Sequence, residues 1–291
     1  MSWLWLTLFS AFGIATADAA TKRYFSDADV WQTAIVRFAL GGFLVLPWAL
    51  TRVSIPHDTP FWIWMAVLIP LDIAAVLVYI RAITSAPLSH TLPYLAFTPV
   101  FTALWSWLLL GERVSPWGLS GVAVVSVGAY LLNLDARDWR EDKLAPPRFI
   151  VNERGPRLML VAAGIFSVTA TLGKGALQYM RGLDFGLLYS VVLAAATLVV
   201  ACVMRGPRSF AIVWRRPWPS LLVSVAMTSM AITHFIAIER VEVAYMISVK
   251  RVSRLFGLAY GALLFGETRL LRNLLAGSLM VAGVVVLTLV R

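Results

Sequence analysis

The stretch TPVFTALWSWLLLGE (Thr98–Glu112) and its counterpart SRLFGLAYGALLFGE (Ser253–Glu267) decide the fold. A shift of 155 residues places the LLLGE of the first on the LLFGE of the second, and the same shift places Gly128 on Gly283. Two apolar runs that end in the same Gly-Glu pair at a constant distance indicate an internal repeat.

The apolar runs are too long for the core of a soluble protein. The chain has 291 residues and is 60% hydrophobic, and its 14% of charged residues is well below the roughly 25% typical of soluble domains. Phe61–Tyr79, Leu92–Leu110 and Leu274–Val290 are nearly uncharged and have about the length that crosses a hydrocarbon core. They lack the alternation of barrel strands, so an all-α integral membrane protein is predicted.

Ten transmembrane helices are predicted, arranged as two five-helix repeats. A charged, proline-bearing stretch at residues 135–156 separates residues 1–134 from residues 157–291. Because five is odd, the second repeat enters the membrane from the opposite side, so the repeats are predicted to be inverted, an architecture on which alternating access operates. The predicted helices are 3–20, 31–51, 61–83, 87–110, 115–133, 157–178, 184–204, 217–238, 243–265 and 270–290.

Composition also bears on other classes of protein. The net charge is +10, but the sequence has no basic segment interleaved with aromatic residues, as a nucleic-acid-binding protein would. In a membrane protein, such a positive charge indicates basic loops instead. The single cysteine, Cys202, excludes an internal disulfide and a multi-cysteine metal site, and we expect no metal or cofactor. Without a nucleophile elbow or a phosphate-binding glycine loop, no enzymatic activity is predicted.

The chain resembles the EamA branch of the drug/metabolite transporter superfamily. The resemblance is carried by the repeated motif above, by RVSPWGLSG and GVAVVSVGAYLL after its first copy, by LLAGSLMVAGVVVLTL after the second, and by Arg37. It implies a secondary transporter whose cavity is lined by helices one to four and six to nine, with helices five and ten at the periphery. It also implies a bacterial inner membrane by default and cytoplasmic termini.

Three cations in the predicted ninth helix are the main site candidates. Where the first repeat has the apolar LAFTPVF, the second has Lys250, Arg251 and Arg254. A cation in the hydrocarbon region is costly unless it faces protein or water, so the cluster predicts a wall that binds an anionic group. Lys250 and Arg254 are four residues apart and are expected on one helix face. The alternative is that these side chains snorkel to the interface or pair with internal acids.

Other ionisable residues extend the candidate site. Asp72 lies near the middle of the third helix, where it is expected to be neutral, paired or a proton relay. Lys174 is a further candidate for contacting substrate, and Asp18, His90 and His234 are further candidates for proton coupling. For each histidine, a packing role is the alternative. Glu112 and Glu267 are expected to cap or anchor turns.

The leading functional hypothesis is a secondary transporter that exports a small, anionic metabolite by alternating access. The alternative is a flippase for an anionic lipid or a lipid-linked sugar. The expected partners are a small-molecule or lipid substrate and membrane lipids, without nucleic acid, and a homodimer is left open. The basic loops place residues 135–156 in the cytoplasm and both termini outside, opposite to the orientation that the family resemblance implies.

Overall fold

The computed structural model describes residues 2–85, 91–133, 152–265 and 270–289, and these residues form helices and connecting turns without a strand. Two short helical turns, Pro207–Phe210 and Ala211–Arg215, join α7 to α8. The principal helices are α1 (Ser2–Tyr24), α2 (Val30–Arg52), α3 (Thr59–Ser85), α4 (Leu92–Leu110), α5 (Pro116–Asn133), α6 (Arg154–Ala176), α7 (Gly182–Arg205), α8 (Pro217–Ile238), α9 (Val243–Lys250), α10 (Ser253–Phe265) and α11 (Leu270–Leu289).

Seven helices are long and apolar enough to cross a membrane: α1, α2, α3, α4, α6, α7 and α8. Shorter apolar helices lie at Pro116–Leu132 and Leu275–Leu289, within α5 and α11. The predicted all-helical membrane class is therefore confirmed. The predicted set of ten helices differs from the eleven principal helices of the described residues at one place.

The prediction of one continuous helix over residues 243–265 is wrong. The helix stops at Lys250 and restarts at Ser253. Between these segments the Arg251 N–H bonds to the Ser248 carbonyl and the Val252 N–H to the Val249 carbonyl, both at 3.0 Å. These i−3 bonds replace the i−4 ladder, so the winding tightens locally.

A second irregularity lies inside α2, where Ile35–Ala39 is π-helical. α8 packs against this stretch closely, since the Ser224 hydroxyl donates to the Val36 carbonyl at 2.6 Å. A Cβ on Gly41, one turn later, would lie 2.0 Å from the Thr228 hydroxyl oxygen. The Ser224 hydroxyl therefore replaces part of the regular hydrogen bonding that the π stretch disturbs.

The chain forms two compact units. The first contains the described residues of Met1–Ile69, Gly173–Val241 and Ser253–Glu267, and the second those of Pro70–Leu172, Glu242–Val252 and Thr268–Arg291. Each unit therefore takes segments from both predicted repeats. Of the predicted connecting stretch, residues 135–151 lie outside the described residues, so the boundary between repeats stays a prediction.

In the first unit, α2 packs antiparallel against α7. A Cβ on Gly42 would lie 2.3 Å from the Ala194 Cβ, and one turn or two further along α2, Val45 and Ala49 cluster with Leu187. Residue numbers thus rise along α2 while they fall along α7. Because glycine lacks a Cβ, the two backbones approach at Gly42 more closely than larger residues would permit.

In the second unit, α5 packs antiparallel against α11 through small residues. A Cβ on Gly121 would lie 3.2 Å from the Gly283 carbonyl oxygen, and one on Gly128 would lie 2.9 Å from the Ala276 carbonyl oxygen. Small residues at such spacing are the usual way for membrane helices to gain van der Waals contact where lipid offers no hydrophobic driving force.

Candidate functional site

α9 is held at its beginning by a residue from α4's end. α4 ends at Gly111, whose φ of 68° is in the left-handed region that glycine tolerates. The next residue, Glu112, accepts a hydrogen bond from the Val243 N–H at 3.0 Å. The carboxylate therefore satisfies the first amide of α9 and lies at the positive end of that helix.

This contact refines the expected role of Glu112. The carboxylate caps α9, which lies 131 residues further along the chain, and the expected role of Glu112 in the turn before α5 stays a prediction. The equivalent Glu267 lies outside the described residues.

The first half of α9 is also fixed by its side chains. Residues 243–249 are buried without exception. The Tyr245 hydroxyl lies 3.3 Å from the Ser115 hydroxyl oxygen, and Ser115 in turn accepts the Gly118 N–H at 3.0 Å. A Cβ on Gly118 would lie 1.9 Å from the Tyr245 hydroxyl oxygen, so only glycine leaves room for this ring. α9 is thus anchored at one end and finishes at a cation.

Lys250 is the last residue of α9, in the second unit. Its side chain is half-buried, and it lies close enough to Asp72 and Arg251 for their charges to interact with its own. The charges of two other predicted site residues, Arg251 and Asp72, therefore act on Lys250. Attraction to the carboxylate offsets part of the cost of keeping the ammonium away from water.

Arg254 belongs to α10 and to the first unit. The prediction that Arg254 lies on the same helix face as Lys250 assumed one regular helix. The helix is interrupted at Arg251 and Val252, so that assumption does not hold. Because α10 begins at Ser253, its first amide groups have no intrahelical carbonyl to bond. Arg254 therefore stands beside a helix N-terminus, where positive potential is already present.

Asp18 forms an ion pair with Arg37 in the first unit. The Arg37 guanidinium lies 2.7 Å from a carboxylate oxygen of Asp18, and it also contacts the Met227 sulfur at 3.5 Å. The Arg37 side chain is 16% exposed and that of Asp18 is 40% exposed. Arg37 lies within the π-helical stretch, so the local distortion of α2 sets the position of the guanidinium. The sequence marked Arg37 only through the family resemblance, and its spacing of 19 residues from Asp18 gives no local signal of pairing.

Lys174 and His234 have structural partners in the first unit. The Lys174 ammonium donates a hydrogen bond to the Val241 carbonyl, in the turn that precedes α9. His234 is buried, and its ring packs edge-on against Phe235 with centroids 5.0 Å apart. The contact of His234 fits the packing alternative for that residue, and the predicted functional roles of both residues stay predictions. His90 lies outside the described residues.

Among the described residues, no three His, Cys, Asp or Glu side chains lie together as metal ligands would. The ionisable groups of the site are therefore amino, guanidinium and carboxylate groups. Such groups bind charged solutes and exchange protons.

Comparisons with known proteins agree with this reading. Residues 1–134 match the model of the EamA-like transporter family, which belongs to the drug/metabolite transporter superfamily, so the resemblance seen in the sequence is confirmed over that part of the chain. A solved crystal structure aligns with 100% of this chain and 99% of its own, with a TM-score of 0.76 and 17% identity, which shows a shared fold. No curated protein matches the chain.

Proposed function

We propose that this chain, a multi-pass membrane protein whose residues 1–134 match the EamA-like transporter family, is a secondary active transporter that exports a small anionic metabolite by alternating access. The observation that carries the proposal is the interrupted helix at Lys250, where a half-buried ammonium lies near Asp72. Breaks of this kind are typical of transporter binding sites, because they expose backbone groups and charges at membrane depth.

The two halves of the chain are proposed to be inverted repeats. Under the shift of 155 residues, Gly121 corresponds to Ala276 and Gly128 to Gly283. The contact of Gly121 with Gly283 is therefore exchanged with the contact of Ala276 with Gly128, as a two-fold axis requires. The antiparallel packing of α5 on α11 fits a second copy that crosses the membrane in the opposite sense.

A contact within the first unit also fits inverted repeats. Gly42 and Ala194, which touch across α2 and α7, are equivalent under the shift of 152 residues that also relates Lys22 to Lys174. A residue in contact with its own equivalent lies beside the symmetry axis. This contact in the first unit and the exchanged pair of contacts in the second unit each favour inverted repeats over a chance resemblance of apolar helices.

Charge favours an anionic substrate. Lys250, Arg251 and Arg254 lie within five residues, and Asp72 is the carboxylate identified near Lys250. An anion that binds here would offset part of the positive charge of these side chains, and protonation of Asp72 would change the balance by one charge. We therefore assign anion binding to Lys250 and Arg251 and coupling to a proton to Asp72. Arg254, which belongs to the first unit, stays a separate candidate from the sequence.

The test is thermal stabilisation of the detergent-purified protein by anionic, zwitterionic, cationic and lipid ligands. We expect stabilisation by one class of small anion, and we expect Lys250→Met to lose it while the exposed-loop control Arg181→Met keeps it. A separate Arg254→Met variant measures the contribution of α10. Stabilisation that is equal in all variants, or a preference for cations, would sink the proposal, and a response confined to lipids would favour the flippase.

A further inference from the structure

Exposed cations and tryptophans cover one end of the first unit. Val203 and Met204, in the last turn of α7, are 79% and 61% exposed, so the apolar surface of that helix leads directly to Arg205. Trp214 and Trp218 are 84% and 78% exposed, although indole rings are usually buried in part. We define the basic-aromatic surface as Lys22, Arg23, Arg205, Arg208, Trp214, Arg215 and Trp218, all exposed.

A network around Arg216 fixes the shape of this surface. The guanidinium forms two hydrogen bonds of 2.7 Å with the Asp27 carboxylate, donates to the Tyr24 carbonyl and lies over the Phe25 ring at 5.7 Å from its centroid. It thereby ties the end of α1 to the start of α8. Bidentate pairing with Arg216 also lowers the pKa of Asp27 to about 2. The carboxylate therefore stays ionised, and the guanidinium of Arg216 balances its charge.

The neighbouring cations retain their charge for another partner. Asp29, the other acid of the α1–α2 loop, accepts the Trp31 and Gln32 amides as the cap of α2. Within the described part of the chain, Arg23 and Arg215 form no ion pair. Both line an open cleft of about 520 Å³ that is also lined by Asp27 and Arg216. The cleft therefore presents two guanidinium groups with donors available for an anion.

The position of the cleft identifies the kind of anion. It lies at the end of α1 and the start of α8, where two helices long enough to cross a membrane are expected to meet the head groups. Tryptophan prefers this depth, because its ring is apolar and its N–H is polar. Guanidinium groups match phosphate oxygens in a bidentate manner.

We propose that the basic-aromatic surface binds the phosphate head groups of anionic phospholipids, with Arg23 and Arg215 on the phosphate and Trp214 and Trp218 beside the glycerol region. This inference is independent of the transported substrate. A soluble anion would have no use for the two exposed indoles and the apolar turn at Val203, whereas a bilayer lipid contacts all of them.

The experiment compares lipid binding by detergent-purified variants in native mass spectrometry, with phosphatidylglycerol and phosphatidylcholine as probes. Since each cation near an anionic head group contributes roughly fivefold, we expect Arg23→Gln with Arg215→Gln to lower phosphatidylglycerol binding by at least about tenfold. Arg23→Lys with Arg215→Lys should retain most of it. The matched control is Arg52→Gln with Arg181→Gln, which removes the same charge from exposed positions at the opposite ends of α2 and α7 and should leave binding within about twofold of wild type.

The outcomes separate clearly. Selective loss in the Arg23 and Arg215 glutamine variant supports the lipid site. Equal phosphatidylglycerol binding by all proteins, or an equal loss in the control, overturns it. Inorganic phosphate that displaces the lipid at millimolar concentration also overturns it, because the surface would then be a site for free anions.

Discussion

At the scale of single residues, Glu112 shows how a local motif can act on a distant helix. Its carboxylate accepts the first N–H of α9, which carries Lys250 at its other end. Loss of this hydrogen bond is therefore expected to affect the position of Lys250, eight residues along the same helix. The Gly-Glu pair is the part of the proposed repeat that is clearest in the sequence. The glutamate of its first copy, Glu112, has a structural role as the cap of α9.

We expect Glu112→Ala to lower the free energy of unfolding by about 1 kcal/mol, the usual loss for a helix cap. Thermal unfolding of the detergent-solubilised protein measures it. Glu112→Gln keeps an oxygen acceptor and should lose less. Unchanged stability in the alanine variant would mean that the cap is replaced by water at no cost.

The Asp18–Arg37 pair predicts an asymmetric response to mutation. Asp18→Asn leaves a guanidinium that is only 16% exposed without its counter-charge, whereas Arg37→Met leaves a carboxylate that is 40% exposed and remains partly solvated. Asp18→Asn should therefore destabilise more, by on the order of 1–2 kcal/mol, below the loss for a fully buried pair. A double-mutant cycle checks this, and strictly additive effects would argue against coupling between the two side chains.

The Asp27–Arg216 pair predicts sensitivity to acid. The pKa of Asp27 is lowered from 3.8 to about 2 in the folded protein, so its stabilising contribution is present above about pH 4 and is lost as the pH falls through 2. Asp27→Asn should remove this part of the acid destabilisation. Thermal unfolding of both proteins between pH 5 and pH 2 measures it, and parallel curves would contradict the assignment.

At the scale of helices, the α5–α11 contact depends on the absence of side chains. A Cβ on Gly128 would lie 2.9 Å from the backbone nitrogen of Met280 as well as 2.9 Å from the Ala276 carbonyl oxygen, and backbone cannot rotate away. Nothing lies within 4 Å of a Cβ on Gly164, which is also in a helix. The two glycines thus form a matched pair for substitution.

Gly128→Ala should lower the free energy of unfolding by about 1–3 kcal/mol, as overpacking does, whereas Gly164→Ala should be neutral or slightly stabilising. Thermal unfolding in detergent distinguishes the two variants. Equal effects would show that α5 and α11 separate without cost.

The helices were predictable where composition alone sets them. The predicted helix over residues 31–51 is observed as Val30–Arg52, because a long apolar run between polar loops has no other stable state in lipid. The interruption after Lys250 could not be predicted, because neither glycine nor proline occurs there in the sequence. The same holds for the site: the charges were visible in the sequence, but the pairing of Asp18 with Arg37 and the capping of Val243 by Glu112 depend on tertiary packing.

At the scale of the whole molecule, the charge rule and the family resemblance predict opposite orientations in the membrane. The charge rule puts the α1–α2 loop in the cytoplasm and the α2–α3 loop outside. Ser26 and Ser54 are exposed residues in these two loops, on opposite ends of α2. Each can therefore report one side of the membrane.

In a Cys202→Ser background, an impermeant maleimide added to intact cells should label Ser54→Cys and leave Ser26→Cys unlabelled until the cells are opened. The rule predicts this result because the basic residues concentrate beside Ser26. The reverse pattern would establish the orientation implied by the family resemblance, with cytoplasmic termini.

The packing of α5 on α11 has a consequence for how such a chain could have arisen. Gly121 meets Gly283 while Gly128 meets Ala276, so each helix presents the same patch that it receives. That self-complementarity is the defining property of an isologous dimer interface. Under the proposed inverted repeat, one polypeptide would contain the contact through which two identical half-length proteins, inserted in opposite senses, recognise each other.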